Sequence, residues 1–172
     1  MKDHIHRMIR VDQAGEFGAT RIYAGQLAVM GDRGPHSGEI AAMARQEDEH
    51  HDAFNHLIAE RGVRPTALHP LWSVAGYALG AATALIGPKA AMACTAAVET
   101  EIDLHYSKQL DTLKDADEEP DLQQMIEQFR EEEREHHDAA IAAGAEETPA
   151  YPLLSAAIRL GCRAAIRLSE RV

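Results

Sequence analysis

Cysteine is scarce in this chain: Cys94 and Cys162 are the only two. Neither sits in a CxxC pair, which excludes a disulfide framework and a thiolate zinc site and fits a reducing compartment. Aromatic residues make up only 5%, and no useful stretch alternates apolar and polar residues, so a sheet is not expected. Positive charge is short as well. Lys and Arg number 17 against 28 Asp and Glu, a net charge of −11, which argues against nucleic acid as a partner. There is no GxGxxG between a strand and a helix, so no dinucleotide domain is built in. The start, MKDHIHRMIRVDQAGE, lacks an apolar core and is not rich in Arg and Ser. Neither a secretory signal nor a transit sequence is expected.

What is present is helix-forming. The 172 residues are 45% hydrophobic and 26% charged, which fits one globular domain over 1–172. Breakers divide it. GDRGP (31–35) closes a first helical stretch of roughly 5–30. Ser37 is expected to cap a second helix that runs to Gly62. VRPTALHP (63–70) reads as a loop, followed by an apolar segment, 71–86. Pro88 suits the first turn of a helix that runs to about Lys114. DADEEPD (115–121) reads as a loop, and Pro120 opens a helix to about Ala143. After a linker, GAEETPAYP, a last helix covers about 152–170.

Two stretches carry one pattern. Residues 47–52 read EDEHHD and residues 133–138 read EREHHD. A single acidic run with histidine is ordinarily a solvated helix face. Here the phase opposes that reading. One helix places Ile40, Met43, Glu47, His50, Phe54 and Leu57 on a single stripe; another places Leu122, Ile126, Phe129, Glu133, His136 and Ala140. Both stripes have the spacing of a bundle core. Burying a lone carboxylate among apolar side chains costs several kcal/mol unless something pairs with it. The remaining long helices repeat too. EFGATRIYAGQL (16–27) and ETEIDLHYSKQL (99–110) align Glu16, Tyr23 and Gln26 with Glu99, Tyr106 and Gln109. The chain therefore reads as a duplicated helix pair.

Four helices with one core Glu each, two of them carrying Glu-x-x-His, match the ligand set of ferritin-like di-iron and di-manganese carboxylate bundles. A Glu and a His three apart share one helix face and can reach one ion. Four carboxylates balance two divalent cations, and oxygen with imidazole donors suits iron or manganese. The expected ligands are Glu16, Glu47, His50, Glu99, Glu133 and His136. His51 and His137 are rotated by roughly 100° from the seam and are expected to face out or to support the ligands. The expected fold is all-α: a ferritin-like four-helix bundle of duplicated helix pairs, with a short apolar crossover helix and a C-terminal amphipathic helix.

RVDQAGEFGATRIYAGQ (10–26), QEDEHH (46–51), VETEIDLHYSKQ (98–109) and FREEEREHHD (129–138) resemble the demethoxyubiquinone hydroxylase family, in order and over about 5–143. The resemblance implies the same six ligands and adds a functional pair, His105 and Tyr106. It implies a di-iron centre with two Fe ions per chain that activates O2 and hydroxylates the benzoquinone ring of a polyprenyl quinone, using an external reductant such as NADH. It also implies a bacterial homo-oligomer held peripherally at the cytoplasmic side of the inner membrane, with a lipid-binding partner protein. The family often has His where this chain has Gln13, Tyr where it has Phe17, and a second Glu where it has Thr100; no expected ligand is altered.

Two segments suit a greasy substrate. At 1.5 Å per residue, 71–86 spans about 24 Å, short of the roughly 30 Å hydrocarbon core. It reads either as a buried crossover helix or as one that dips into a membrane. The last helix has Arg159, Arg163, Arg167 and Arg171 beside Leu154, Ile158, Ala165 and Leu168, a pattern that lies on anionic membranes. Its other reading is salt-bridge docking on the acidic body. Two rival functions use the same letters. Iron storage or peroxide removal would use the same ligands in a cage-like oligomer, against which the apolar 71–86 segment stands. A metal-free interaction protein would place the Glu/His runs in solvent, against their core phase.

Overall fold

A computed structural model describes residues 2–116 and 119–172. Six α-helices follow in order: α1 (Lys2–Met30), α2 (Ser37–Arg61), α3 (His69–Ile86), α4 (Pro88–Ala116), α5 (Pro120–Ala142) and α6 (Tyr151–Ser169), with a short 3-10 turn (Ala145–Glu147) before α6. No strand occurs among the described residues. The breakers act as expected. Gly31 and Gly62 adopt positive φ, 67° and 63°, and end α1 and α2. Proline opens α3, α4, α5 and α6 within the first two positions, where its missing N–H costs nothing. Residues 117 and 118 of the expected acidic connector lie outside the described residues.

One expected cap is corrected. Ser37 is not the cap of α2 but its first residue. His36 is the cap, in a left-handed conformation at φ 64°. The reason is local: the Ser37 N–H already bonds the Gly34 carbonyl at 3.1 Å, so the turn is made before the serine side chain is needed. The α3 helix also starts earlier than the apolar run, at His69, because Pro70 is accommodated in its first turn.

Helices α1 and α2 form one hairpin and α4 and α5 the other. These four make the ferritin-like bundle. The seam read from sequence is the core: Ile40, Met43, Glu47, His50 and Phe54 are buried on α2, and Leu122, Ile126, Phe129, Glu133, His136 and Ala140 on α5. Two apolar clusters bracket the polar layer. At one end Ile9, Phe54, Leu113, Leu122 and Ile126 pack together; at the other Ala19, Ile40, Met43, Ala91, Met92 and Ala140 do.

The crossover helix α3 packs against α1 and also touches α4. Glycines set its distance from α1. A Cβ on Gly80 would overlap the Ile22 carbonyl oxygen, and a Cβ on Gly25 the Tyr77 carbonyl oxygen. Only the inner side of α3 is buried, through Gly76, Gly80, Thr83 and Ala84. Its outer side shows Val74 and Leu85 at 69% and 75% exposure. So α3 is a crossover with one packed side and one apolar outer side.

Helix α6 packs on α4, and the docking reading describes two of its arginines. Arg159 Nε donates to Glu101 Oε1 at 2.6 Å, and Arg163 Nε to Glu101 Oε2 at 2.8 Å. Arg167 and Arg171 are exposed, as are Leu153 and Leu160. Trp72 Nε1 donates to Ser169 Oγ at 3.1 Å, tying the start of α3 to the end of α6. No described helix is long and apolar enough to cross a membrane.

Because backbone on one helix faces backbone on the other, Gly80→Ala cannot be absorbed by a side-chain shift. It is expected to cost about 1–3 kcal/mol as an overpacked contact. A thermal melt should show a lower midpoint, whereas Gly161→Ala, where a Cβ meets nothing within 4 Å, should leave it nearly unchanged.

Candidate metal centre

The six residues predicted as ligands converge in the middle of the bundle. Glu16 comes from α1, Glu47 and His50 from α2, Glu99 from α4, and Glu133 and His136 from α5. None is more than 4% exposed. They form two interlocked groups: Glu16, Glu47, His50 and Glu133; and Glu47, Glu99, Glu133 and His136. Within each group the potential ligand atoms lie within 4.8 Å of one another. Glu47 and Glu133 belong to both groups; each lone Glu pairs with one His.

Both histidines turn Nδ1 toward the carboxylates. His50 Nδ1 is 3.0 Å from Glu133 Oε1 and 3.6 Å from Glu16 Oε2. His136 Nδ1 is 3.1 Å from Glu133 Oε2 and 3.2 Å from Glu47 Oε1. Phe129 stacks on His50 with ring centres 4.0 Å apart, which fixes the imidazole plane.

The duplicated tyrosines cross between the halves. Tyr23 Oη donates to Glu99 Oε1 at 2.9 Å, and Tyr106 Oη donates to Glu16 Oε1. In each case Oε2 of the same carboxylate is buried without a hydrogen-bond partner. Burial, with the neighbouring carboxylates, pushes both phenols well above their usual range, so they remain donors.

The charges within the cluster are unbalanced. Burial first, then Glu133 and the other carboxylates, pushes Glu47 well above the usual carboxylate range; Glu99 is raised in the same way. Burial also works against ionisation of Glu133, but hydrogen bonds from His136 and His50 outweigh it and hold the group at about 2. Burial opposes protonation of His50, and the bonds to Glu133 and Glu16 override it, raising its pKa to about 11. Both oxygens of Glu47, Oε2 of Glu16 and Oε2 of Glu99 have no hydrogen-bond partner. Buried acceptors in that state carry a penalty that coordination removes. Carboxylate oxygens with imidazole nitrogens suit first-row divalent ions. Each group can hold a metal ion.

His105 and Tyr106 part ways. Tyr106 touches the cluster through Glu16. His105 instead bonds buried Asp12, Nε2 to Oδ1 at 3.0 Å, and lines a surface pocket of about 200 Å³ with Arg7 and Lys108. His137 is half-exposed beside Asp138. His51 lies in a polar group outside the cluster: Gln13 reaches His51 at 3.1 Å and Asn55 at 2.9 Å, and Phe17 stacks on His69.

Several supporting residues were not singled out from sequence. Asp12 gave no signal there. The roles of Tyr23 and Gln109 were visible only as repeated letters; Gln109 Nε2 donates to Asp12 Oδ1 at 2.7 Å. Gln46 and Glu132 each precede a clustered Glu and reach the outer nitrogen of a clustered His: His136 Nε2 is 2.9 Å from Gln46 Oε1, and His50 Nε2 is 2.5 Å from Glu132 Oε2.

Comparison with known proteins shows the family. The family described as Ubiquinone biosynthesis protein COQ7 matches residues 3–169. A 3-demethoxyubiquinol 3-hydroxylase of Rhodospirillum rubrum is 55% identical over 168 residues, covering 98% of this chain and 78% of the relative. A mitochondrial NADPH-dependent 3-demethoxyubiquinone 3-hydroxylase of Homo sapiens is 52% identical over 170 residues, with the same two coverages. A mitochondrial 5-demethoxyubiquinone hydroxylase of Saccharomyces cerevisiae is 43% identical over 182 residues, covering 98% and 78%. The buried Glu/His cluster on four duplicated helices, and a match across almost the whole chain, place this protein in the COQ7 ubiquinone biosynthesis family.

Proposed function

We propose that this protein is a di-iron monooxygenase that uses O2 to hydroxylate the benzoquinone ring of a demethoxyubiquinone-type polyprenyl quinone in ubiquinone biosynthesis. The observation that carries the reading is the pair of buried ligand groups that share Glu47 and Glu133. The substrate class rests on the names of the relatives, all hydroxylases of demethoxylated ubiquinone precursors. Those names do not favour iron storage or peroxide removal.

Glu16 and His50 would hold one iron and Glu99 and His136 the other, with Glu47 and Glu133 available to each because they belong to both groups. When bound, the irons supply the redox chemistry that lets O2 deliver one atom to the ring and one to water. The protein fixes the ligands. Tyr23 and Tyr106 each occupy one oxygen of a terminal carboxylate and leave the other free. The apolar clusters on either side of the polar layer keep bulk water from the reacting atoms. Tyr106 Oη keeps its proton directed at Glu16, and Asp12 Oδ1 orients the proton on His105 Nε2. His105 lines a surface pocket between α1, which carries Glu16, and α4, a place from which protons or an external reductant can be served. NADPH, named for the human relative, or NADH is the proposed reductant.

The quinone tail requires a lipid phase. The outer sides of α3 and α6, with Val74, Leu85, Leu153 and Leu160 exposed and Arg167 and Arg171 at the end of α6, suit peripheral contact with an anionic membrane.

Three outcomes test this reading. Protein loaded anaerobically with Fe(II) should hold two irons per chain. With reductant and labelled O2 it should place one labelled oxygen on a demethoxyquinone. Glu133→Ala should lower both iron content and turnover by more than the roughly 10–100-fold typical of changes around a ligand; unaltered turnover would refute the assignment. Second, ions must displace the protons held by Glu47 and Glu99. Metal binding should therefore tighten as pH rises above the ordinary carboxylate range. Calorimetry in buffers of different ionisation enthalpy should reveal proton release. In the empty protein these raised groups contribute stability that is complete below about 4.5 and is lost as pH rises through their folded values. Third, Leu160→Asp should reduce co-sedimentation with vesicles containing phosphatidylglycerol while iron content stays at the wild-type level.

A further inference from the structure

The two halves of the site differ in the residue that backs each histidine. In each repeat the residue before the shared glutamate crosses to the other half and supports its histidine from behind. Glu132, beside Glu133, meets His50 Nε2 at 2.5 Å; Gln46, beside Glu47, meets His136 Nε2 at 2.9 Å. The repeat is symmetric in its ligands and asymmetric here: a carboxylate backs one imidazole and a neutral amide the other. Gln128 Nε2 also donates to Glu132 Oε1 at 2.9 Å.

The chemistry of the two contacts differs in kind. Both fix the proton on Nε2 and leave Nδ1 facing the carboxylates. A hydrogen bond from imidazole to a carboxylate is charge-assisted and about twice as strong as one between neutral groups. It pulls the Nε2 proton outward, which makes Nδ1 a stronger donor to an ion. An amide oxygen does this weakly.

We propose that Glu132 and Gln46 make the two metal positions unequal, so that the ion held by Glu16 and His50 binds first and more tightly than the ion held by Glu99 and His136. This rests on the dinuclear reading given above. Glu132 and Gln46 are positioning residues, because they act through the histidines. The side chain of Glu132 is 23% exposed, so its replacement by the isosteric amide leaves the core packing in place.

The apoprotein is titrated with Co(II), followed by calorimetry and by visible absorption. Wild type should show two binding steps whose affinities differ by at least about 10-fold, the scale of effects from a histidine's outer partner. Glu132→Gln makes the two backings alike. It should weaken the first step by about 10–100-fold and merge the two. The double exchange Gln46→Glu with Glu132→Gln restores one carboxylate and one amide in swapped places, and the two steps should separate again. Circular dichroism melts accompany each variant; if Glu132→Gln fails to fold, the double exchange decides, since single-step binding there contradicts the proposal. Equal steps in wild type, or a Glu132→Gln isotherm that overlays wild type, would overturn the inequality and leave the dinuclear site standing. Wild type that binds no Co(II) would overturn the dinuclear site itself.

Discussion

Everything in this bundle answers to one electrostatic constraint: four carboxylates and two imidazoles lie together at the centre of a helical core. Burying an uncompensated carboxylate costs several kcal/mol, and here four must be accommodated at once. Burial and mutual repulsion raise Glu47 and Glu99 well above the usual carboxylate range, and the bonds to Glu133 and Glu16 raise His50. Cations offer a fuller compensation. Apolar layers on both sides, stacking of Phe129 on His50 and tyrosines directed at Glu16 and Glu99 all follow from holding this charge in place.

The repeated helix pair is a physical solution to this constraint. Each half alone would present one Glu-x-x-His and one lone Glu, an incomplete site. Bringing the halves together lets each supply what the other lacks. Tyr23 of the first half serves Glu99 of the second, and Tyr106 of the second serves Glu16 of the first. The halves therefore interlock through polar contacts as well as through the seam, and the site cannot assemble unless both hairpins are in register.

The remaining helices solve a different problem. Glycines at 25, 76 and 80 let α3 approach α1 at backbone distance, so a short crossover returns the chain without occupying the core. Glu101 anchors α6 by two arginines. Both added helices then turn apolar side chains outward, which leaves the polar centre and a greasy exterior on one small molecule.

The sequence by itself determined the helical fold and the six-residue cluster. Core phase is a local property: a glutamate three residues before a histidine, on a stripe with Ile, Met and Phe, has to face the bundle interior wherever the neighbouring helices lie. Helix ends were legible for the same reason, since proline and left-handed glycine act within one turn. Ser37 misled because the turn made by Gly34 satisfied its backbone first. Tertiary structure alone decided the contacts between elements distant in sequence. Nothing in the letters assigns Tyr23 to Glu99, His105 to Asp12, or Glu132 to His50. Nor do they choose which side of α3 is packed, because an apolar helix with glycines is compatible with several neighbours until the close approach to Ile22 selects one. Periodicity fixes which way a side chain points from its own helix; only packing fixes what it meets.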